Sequence, residues 1–466
     1  MEDKILVSTN QEGKTKKIGI REIPRKRLIG DGFGQFGLNL FGGLSMVLLY
    51  FYTDVAGIAA GLAGTLIMIS RVFDGFTDLF MGSLVDRTQS KYGKARPWLL
   101  WLAIPTAIVS ILLFYTPDIG TTGKIIYILI TNILFFSVGL TGLVVAFASL
   151  MALTTRNPYD RSLMGIFRGI FGLLGGMIMS IGFIPIVNSM GNDQSAWLTL
   201  VIIVASVAGL AVLIGFKSSK EQISSKEKVE KEKQVPLKQK IKALFSNKYL
   251  MMLLGVQILV STAGILSGAA GIYYAQYIWG NVSLVGIIGA AGFLPMVVGF
   301  IILTPLVKRF GKRNMFIAGS IVTIIGCLIR LIDVYSLPIG ITGIIIAGFG
   351  MVPTLTLLGP MVSDTIEYGE WKKGLRMEGL VNGGVSFTSK LGSGIATAGV
   401  GWLLALGGYV AGAATQSELA IQMILATNIY IPLLISVLIV VLLKFYKLDK
   451  EYAQIVSDLE SSQGRY

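Results

Sequence analysis

Arg71, Asp74 and Asp78 stand within eight residues of one another in the run GLAGTLIMISRVFDGFTDLFMGSLV, a stretch otherwise suited to lipid. At 3.6 residues per turn the three fall on one helix face. A charge at the centre of a bilayer costs about 2.5–3.5 kcal/mol on insertion scales. Such groups persist where they face water, neutralise one another or bind a ligand. Two carboxylates one turn apart can share a proton or chelate Na⁺, so ion coupling is the leading reading of Asp74 and Asp78. The plainer alternative is an Arg–Asp clamp between helices, which would need only one acid.

The surrounding chain is a membrane protein by composition. Hydrophobic residues make up 53% of its 466 residues and charged residues 14%, against about 25% charged in soluble domains; mean hydropathy is +0.72. Twelve apolar runs are long enough to cross about 30 Å of hydrocarbon. They lie at 30–53, 58–83, 97–116, 124–150, 163–188, 196–216, 249–277, 283–306, 314–332, 337–361, 379–407 and 420–443. The 57 glycines fit tightly packed membrane helices. The first 27 residues are polar and basic and lack the pattern of a cleavable signal peptide.

The formal charge of +14 reflects topology. Of 40 Lys and Arg, 35 fall in alternate connections: the N-terminus, the loops near 84–97, 151–162, 217–248, 307–313 and 362–378, and the C-terminus. This positive-inside pattern puts both termini in the cytoplasm and removes the case for nucleic acid. Of the basic residues, Arg71, Arg168 and Lys390 remain within apolar segments. The single cysteine, Cys327, excludes a disulfide framework, and the absence of histidine removes the commonest metal ligand and general base.

The expected fold is therefore all-α and integral to the cell membrane, with twelve transmembrane helices in two pseudo-symmetric six-helix bundles. The division reads as an N-terminal cytoplasmic segment 1–27, a bundle 28–216, a charged cytoplasmic linker 217–248, a second bundle 249–445 and a cytoplasmic tail 446–466. An internal repeat supports the split: LVDRTQSKYGKAR follows the second span and LVKRFGKRN the eighth, the same pattern shortened by four residues. Glycines 165, 169, 172 and 176 predict close approach of a neighbour to the fifth span.

Four blocks then carry a resemblance: FYTDVAGI around Asp54, RVFDGFTD at 71–78, GKARPW at 93–98 and MVSDTIEYGEW at 361–371. From about residue 28 to 450 the chain resembles the glycoside–pentoside–hexuronide:cation symporters of the major facilitator superfamily. The resemblance implies alternating access by a sugar transporter whose coupling ion, H⁺ or Na⁺, is bound by Asp74 and Asp78, with no other cofactor. It implies Thr141 as a third cation ligand, and puts Thr77 where the family has an Asn, which leaves Na⁺ open. Arg71, Arg168 and Lys390 match basic residues near the cavity. Asn39, Val144 and Ala148 replace an Asp, an Asp and a Trp of the family's melibiose permeases.

Two lost acids leave three bases against Asp74 and Asp78, a net positive lining that would suit an anionic sugar. A neutral glycoside or pentoside is the other reading. Asn382, Ser386, Thr388 and Lys390 form a polar stripe on the eleventh span. Tyr273 and Tyr274 either contact a sugar or belong to an interfacial aromatic belt. Asp86, Arg87, Arg96, Arg376 and Glu378 read as cytoplasmic charge pairs closing an inner gate. The expected partners are a small sugar and membrane lipids, with function as a monomer. Two other classes are open: a lipid or lysolipid carrier of the same fold, favoured by apolar Val144 and Ala148, and a membrane enzyme, disfavoured by the missing histidine.

Overall fold

The computed structural model describes residues 6–9, 15–18, 23–155, 157–221, 242–375 and 377–463. Residues 222–241 of the expected linker and Arg376 of the expected gate lie outside them. The described chain forms twelve long helices. The first six are α1 (Arg25–Val55), α2 (Ala60–Arg87), α3 (Arg96–Leu113), α4 (Gly120–Thr154), α5 (Pro158–Ser189) and α6 (Gln194–Ser218). The second six are α7 (Lys248–Tyr277), α8 (Val285–Phe310), α9 (Lys312–Arg330), α10 (Leu337–Lys373), α11 (Glu378–Leu406) and α12 (Glu418–Lys444). A tail helix α13 (Leu448–Gln463) follows. A small antiparallel hairpin, Leu6–Thr9 with Thr15–Ile18, precedes α1.

Ten helices are long and apolar enough to span a membrane by length and composition; α2 and α11 are not among them. These are the two helices that carry Arg71, Asp74, Asp78 and Lys390. They pack against each other along their length, and α5 packs on α8. The approach is close enough that a Cβ at Gly401 would sit 2.3 Å from the Ala60 carbonyl oxygen. On α5 the expectation of close approach holds at Gly172, against Gln35 and Asn39, while Gly165 and Gly169 face open space. Exposed Phe80, Ile301, Ile332 and Leu406 form part of the apolar outer surface.

Three helices widen by a π turn: α1 at Phe51–Val55, α4 at Leu134–Leu140 and α12 at Ala426–Tyr430. An inserted residue redirects the side chains that follow, and such turns often sit at functional sites. α10 runs twelve residues past the expected end at 361: Gly369 stays helical within SDTIEYGEWKK, and Gly374, at φ +65°, closes the helix on the Glu370 carbonyl. The tail helix docks on that extension. Trp371 Nε1 donates to Asp458 Oδ2 at 3.1 Å, and the Tyr452 hydroxyl donates to Glu367. Burial and the Glu367 carboxylate push that phenol above its ordinary range.

The repeat seen in the sequence has a structural counterpart. Backbone N–H groups of Lys94, Ala95 and Arg96 grip the Glu221 carboxylate at 2.8–2.9 Å, and Arg96 Nε donates to the Phe216 carbonyl, tying α3 to the end of α6. In the second half the Arg313 N–H holds Asp449 at 2.9 Å, while its guanidinium donates to the Leu443 and Lys444 carbonyls at the end of α12. Both grips use a carboxylate at the N-terminus of a helix, where N–H groups have no intrahelical partner.

Gly93 enters the first grip at φ +111°, and a Cβ there would lie 2.3 Å from the Glu221 carboxyl. Gly93→Ala should therefore destabilise the protein by about 1–3 kcal/mol, read as a lowered unfolding temperature in detergent. Glu221→Ala should move the same transition in the same direction, and an unchanged midpoint in both would refute the grip.

Candidate functional site

α2 presents Asp74, 2% exposed, and Asp78 to the facing side of α11, where Lys390 is waiting. The Lys390 ammonium lies 2.7 Å from Asp74 Oδ1, 2.6 Å from Asp78 Oδ1, 2.8 Å from Thr141 Oγ1 and 3.2 Å from the Asp74 carbonyl oxygen. Its three N–H donors are therefore satisfied by oxygens from two helices, α2 and α4. Thr141, the residue immediately after the α4 π turn, also donates to Asp74 Oδ1, and Ser386 donates to Asp78 Oδ2. The cluster joins the two halves of the chain at its most polar point.

Arg71 completes the set at longer range. Its Nη1 is 3.9 Å from Asp74 Oδ2, its guanidinium lies 3.8 Å above the Phe136 ring, and its Nε is buried without a hydrogen-bond partner. Phe136 belongs to the same π turn that sets Thr141. Thr77 is elsewhere: its hydroxyl donates 2.9 Å to the Asp74 carbonyl on its own helix, so it contributes no ligand to the cluster here. Such back-bonding is the ordinary local option for a helical Thr.

The other predicted residues separate into distinct places. Arg168 makes a bidentate pair with Asp31, at 2.6 and 2.9 Å, donates 3.0 Å to the Phe147 carbonyl and lies over the Phe147 ring. Ser219 donates to the same Asp31 at 2.7 Å. The net positive lining was counted without Asp31. With it, three acids meet three bases and the sum is zero. The signal was present, an aspartate just inside the first apolar run, but its place at the edge of the run made it look solvated.

Asn39 Nδ2 donates 2.8 Å to the Gly172 carbonyl and its Oδ1 accepts from Gln35 at 2.8 Å, so an amide pair stands on α1 against α5. Tyr273 and Tyr274 are fully buried. Tyr273 shares a 2.7 Å hydrogen bond with Thr53, and Tyr274 donates 2.7 Å to the Val334 carbonyl with Arg330 over its ring. Asn382 is exposed near the start of α11. Asp86 and Arg87 are exposed without an ion pair to a described residue, Arg96 serves the grip within the first half, and Glu378 sits exposed in the first turn of α11. Asp86, Arg87 and Arg96 thus make no ion pair to a described residue of the second half.

Alternation of the helices puts Asp86, Arg96 and the other basic connections at one end. At the opposite end α1 meets α7 through Thr53, Tyr50 and Tyr273. Among the described residues no hydrogen bond or ion pair joins α4 to α10.

The MFS/sugar transport protein family matches residues 30–450. The isoprimeverose transporter of Lactiplantibacillus pentosus is 31% identical over 459 residues, covering 95% of this chain and 93% of its own. The glucuronide carrier protein homolog of Escherichia coli (strain K12) is 30% identical, covering 95% and 96%. In shape the chain is similar to a bacterial homolog of the human lysosomal transporter Spinster, with TM-score 0.63, 14% identity and coverage of 92% and 96%.

Losing one partner of a buried ion pair costs about 3–5 kcal/mol, whereas replacing both by apolar groups is often near neutral. Asp31→Asn should thus lower the unfolding temperature sharply, and Asp31→Leu with Arg168→Leu should recover most of the loss. A double variant as unstable as the single one would refute the attribution of the loss to an unpaired Arg168.

Proposed function

Because the chain belongs to the MFS/sugar transport protein family, a family of multi-pass membrane transporters and not enzymes, we propose that it is a cation-coupled symporter of a neutral glycoside or pentoside. The observation that carries this reading is the Lys390 ammonium held by Asp74, Asp78 and Thr141. Those oxygens are also the set an incoming cation would use. Lys390 is then a tethered competitor: H⁺ on a carboxylate, or Na⁺ among the oxygens, displaces it.

The charge arithmetic supplies the coupling. Asp74, Asp78, Arg71 and Lys390 sum to zero when no coupling ion is bound, so the empty carrier reorients without an unpaired charge. A bound cation leaves one positive charge and a loosened Lys390, which turns to the cavity and donates to a sugar oxygen. Loaded with the cation alone, the site carries an unpaired ammonium and reorients poorly. The amide pair Gln35–Asn39 offers both N–H donors and carbonyl acceptors, which matches sugar hydroxyls without adding charge. By the positive-inside rule the basic end faces the cytoplasm, with both termini there.

A neutral sugar moved with one cation transfers net charge; a singly anionic sugar moved with one cation does not. Proteoliposomes should therefore give a transient inward positive current when a transported sugar is added. Asp74→Asn and Asp78→Asn should retain sugar exchange but lose accumulation against a gradient. Repeating the assay across pH and Na⁺ names the ion. Gradient-driven uptake at the wild-type level in both variants would refute the scheme, and electroneutral uptake would select an anionic substrate. A lipid carrier, the reading favoured by Val144 and Ala148 exposed on α4, predicts that no soluble sugar competes.

A further inference from the structure

Beyond the charge cluster and the Asp31–Arg168 pair, a further carboxylate, Asp54, lies within the membrane-spanning helices, and the coupling scheme leaves it unused. Asp54 closes the π turn of α1 at the end opposite the basic connections. It has no ion pair among the described residues. Its Oδ2 accepts from the Thr53 hydroxyl at 2.6 Å and its Oδ1 from the Tyr409 hydroxyl at 2.6 Å. The Tyr409 and Tyr277 hydroxyls are 3.2 Å apart, and the Tyr273 and Thr53 hydroxyls 2.7 Å apart. The rings pack edge to face: Tyr273 on Tyr409 at 5.4 Å, Tyr277 on Tyr409 at 5.6 Å, and Tyr50 on Tyr273 at 5.6 Å.

The members come from both halves of the chain. Tyr50, Thr53 and Asp54 belong to α1; Tyr273 and Tyr277 belong to α7; Tyr409 follows α11. On α1 the face that carries Thr53 continues inward through Met46, Gly42 and Gln35, which recur at helical spacing. Below the tyrosines that face opens: Met46 is 37% exposed, and a Cβ at Gly42 would meet nothing within 4 Å. The tyrosine layer therefore closes the end of α1 beyond a stretch that is less tightly packed.

We propose that Asp54 is the shared acceptor of an outer latch, closed here, which withdraws from Tyr409 each time the transporter opens to the outside. The chemistry suits a contact that must break once per cycle. A hydrogen bond from a neutral hydroxyl to a carboxylate is stronger than a neutral pair, yet both partners recover water when the halves part. A buried Lys–Asp pair would hold more firmly and cost more to separate. The π turn holds Thr53 and Asp54 side by side, so that the Thr53 hydroxyl donates to one Asp54 oxygen and leaves the other to Tyr409.

Accessibility tests this without any substrate. In a Cys327→Ser background, Gly42→Cys reports from about 16 Å inside Thr53, and Asn382→Cys reports from the basic end. A membrane-impermeant maleimide is applied to intact cells for the first and to inside-out vesicles for the second. Tyr409→Phe keeps the ring and removes the donor, and Asp54→Asn removes the charge. Each should speed labelling at Gly42→Cys about tenfold and slow labelling at Asn382→Cys. Tyr277→Phe, which leaves the Asp54–Tyr409 contact in place, should change either rate by less than about twofold. Unchanged rates in Tyr409→Phe, or faster labelling at both reporters as general loosening would give, would overturn the latch. Because neither rate depends on sugar or coupling ion, failure here leaves the symport reading standing.

Discussion

The Lys390 ammonium between two aspartates is the interaction on which the arrangement depends. It is a charge from the second half of the chain neutralising charges of the first, at a depth where neither side is tolerable alone. α2 and α11 can lie in the membrane against each other because their polar faces are turned inward and matched. Their apolar content alone does not qualify them as spans. Ser386 satisfies the Asp78 oxygen that the ammonium leaves free, and Thr141 adds a second donor to Asp74 Oδ1, so the cluster is closed by hydrogen bonds from α4 and α11. Any ligand that enters must exchange with a bond already made, which is the step on which the proposed coupling rests.

The three π turns share a job. The turn in α4 sets Phe136 under Arg71 and delivers Thr141 to Asp74. The one in α12 places Asn428, which binds the buried Arg330 through its side-chain and backbone oxygens. That in α1 carries Thr53 and Asp54. Each is a place where a polar side chain must leave the regular 3.6-residue stripe of an apolar helix to reach a partner. The widened turn shifts register locally and leaves the rest of the helix in its packing.

Much of this was legible in the residues and some of it was not. Ten of the span positions follow from apolar length, and the pairing of Arg71, Asp74 and Asp78 on one face follows from helical spacing. That Lys390 is their close partner could be expected from charge alone. That it displaces Arg71 to 3.9 Å could not, since it depends on how α11 is set against α2, some 300 residues away in sequence. The Thr77 bond to its own helix was not foreseen, because a hydroxyl in a helix has a carbonyl of its own within reach. The Arg168 pair was not foreseen because its acid, Asp31, stands at the margin of an apolar run and was left out of the count. The extension of α10 escaped notice because its residues are polar, and polarity marks exposure, whereas a helix ends where a breaker such as Gly374 stands.

The repeat explains how bonds of such different strength coexist in one molecule. Within each half, a carboxylate on helix N-terminal N–H groups and an arginine on helix C-terminal carbonyls fasten α3 to α6 and α9 to α12. These contacts join elements that move together and lie near the basic connections, so they can be strong without obstructing transport. Between the halves the contacts differ in kind: hydroxyls on a lone carboxylate at one end, and a mobile ammonium shared among oxygens in the middle. If the two halves rock as proposed, permanent bonds belong inside each body and exchangeable ones between the bodies. The hydrogen-bond types along this chain follow that division, with Lys390 the charge that the proposed cation would replace.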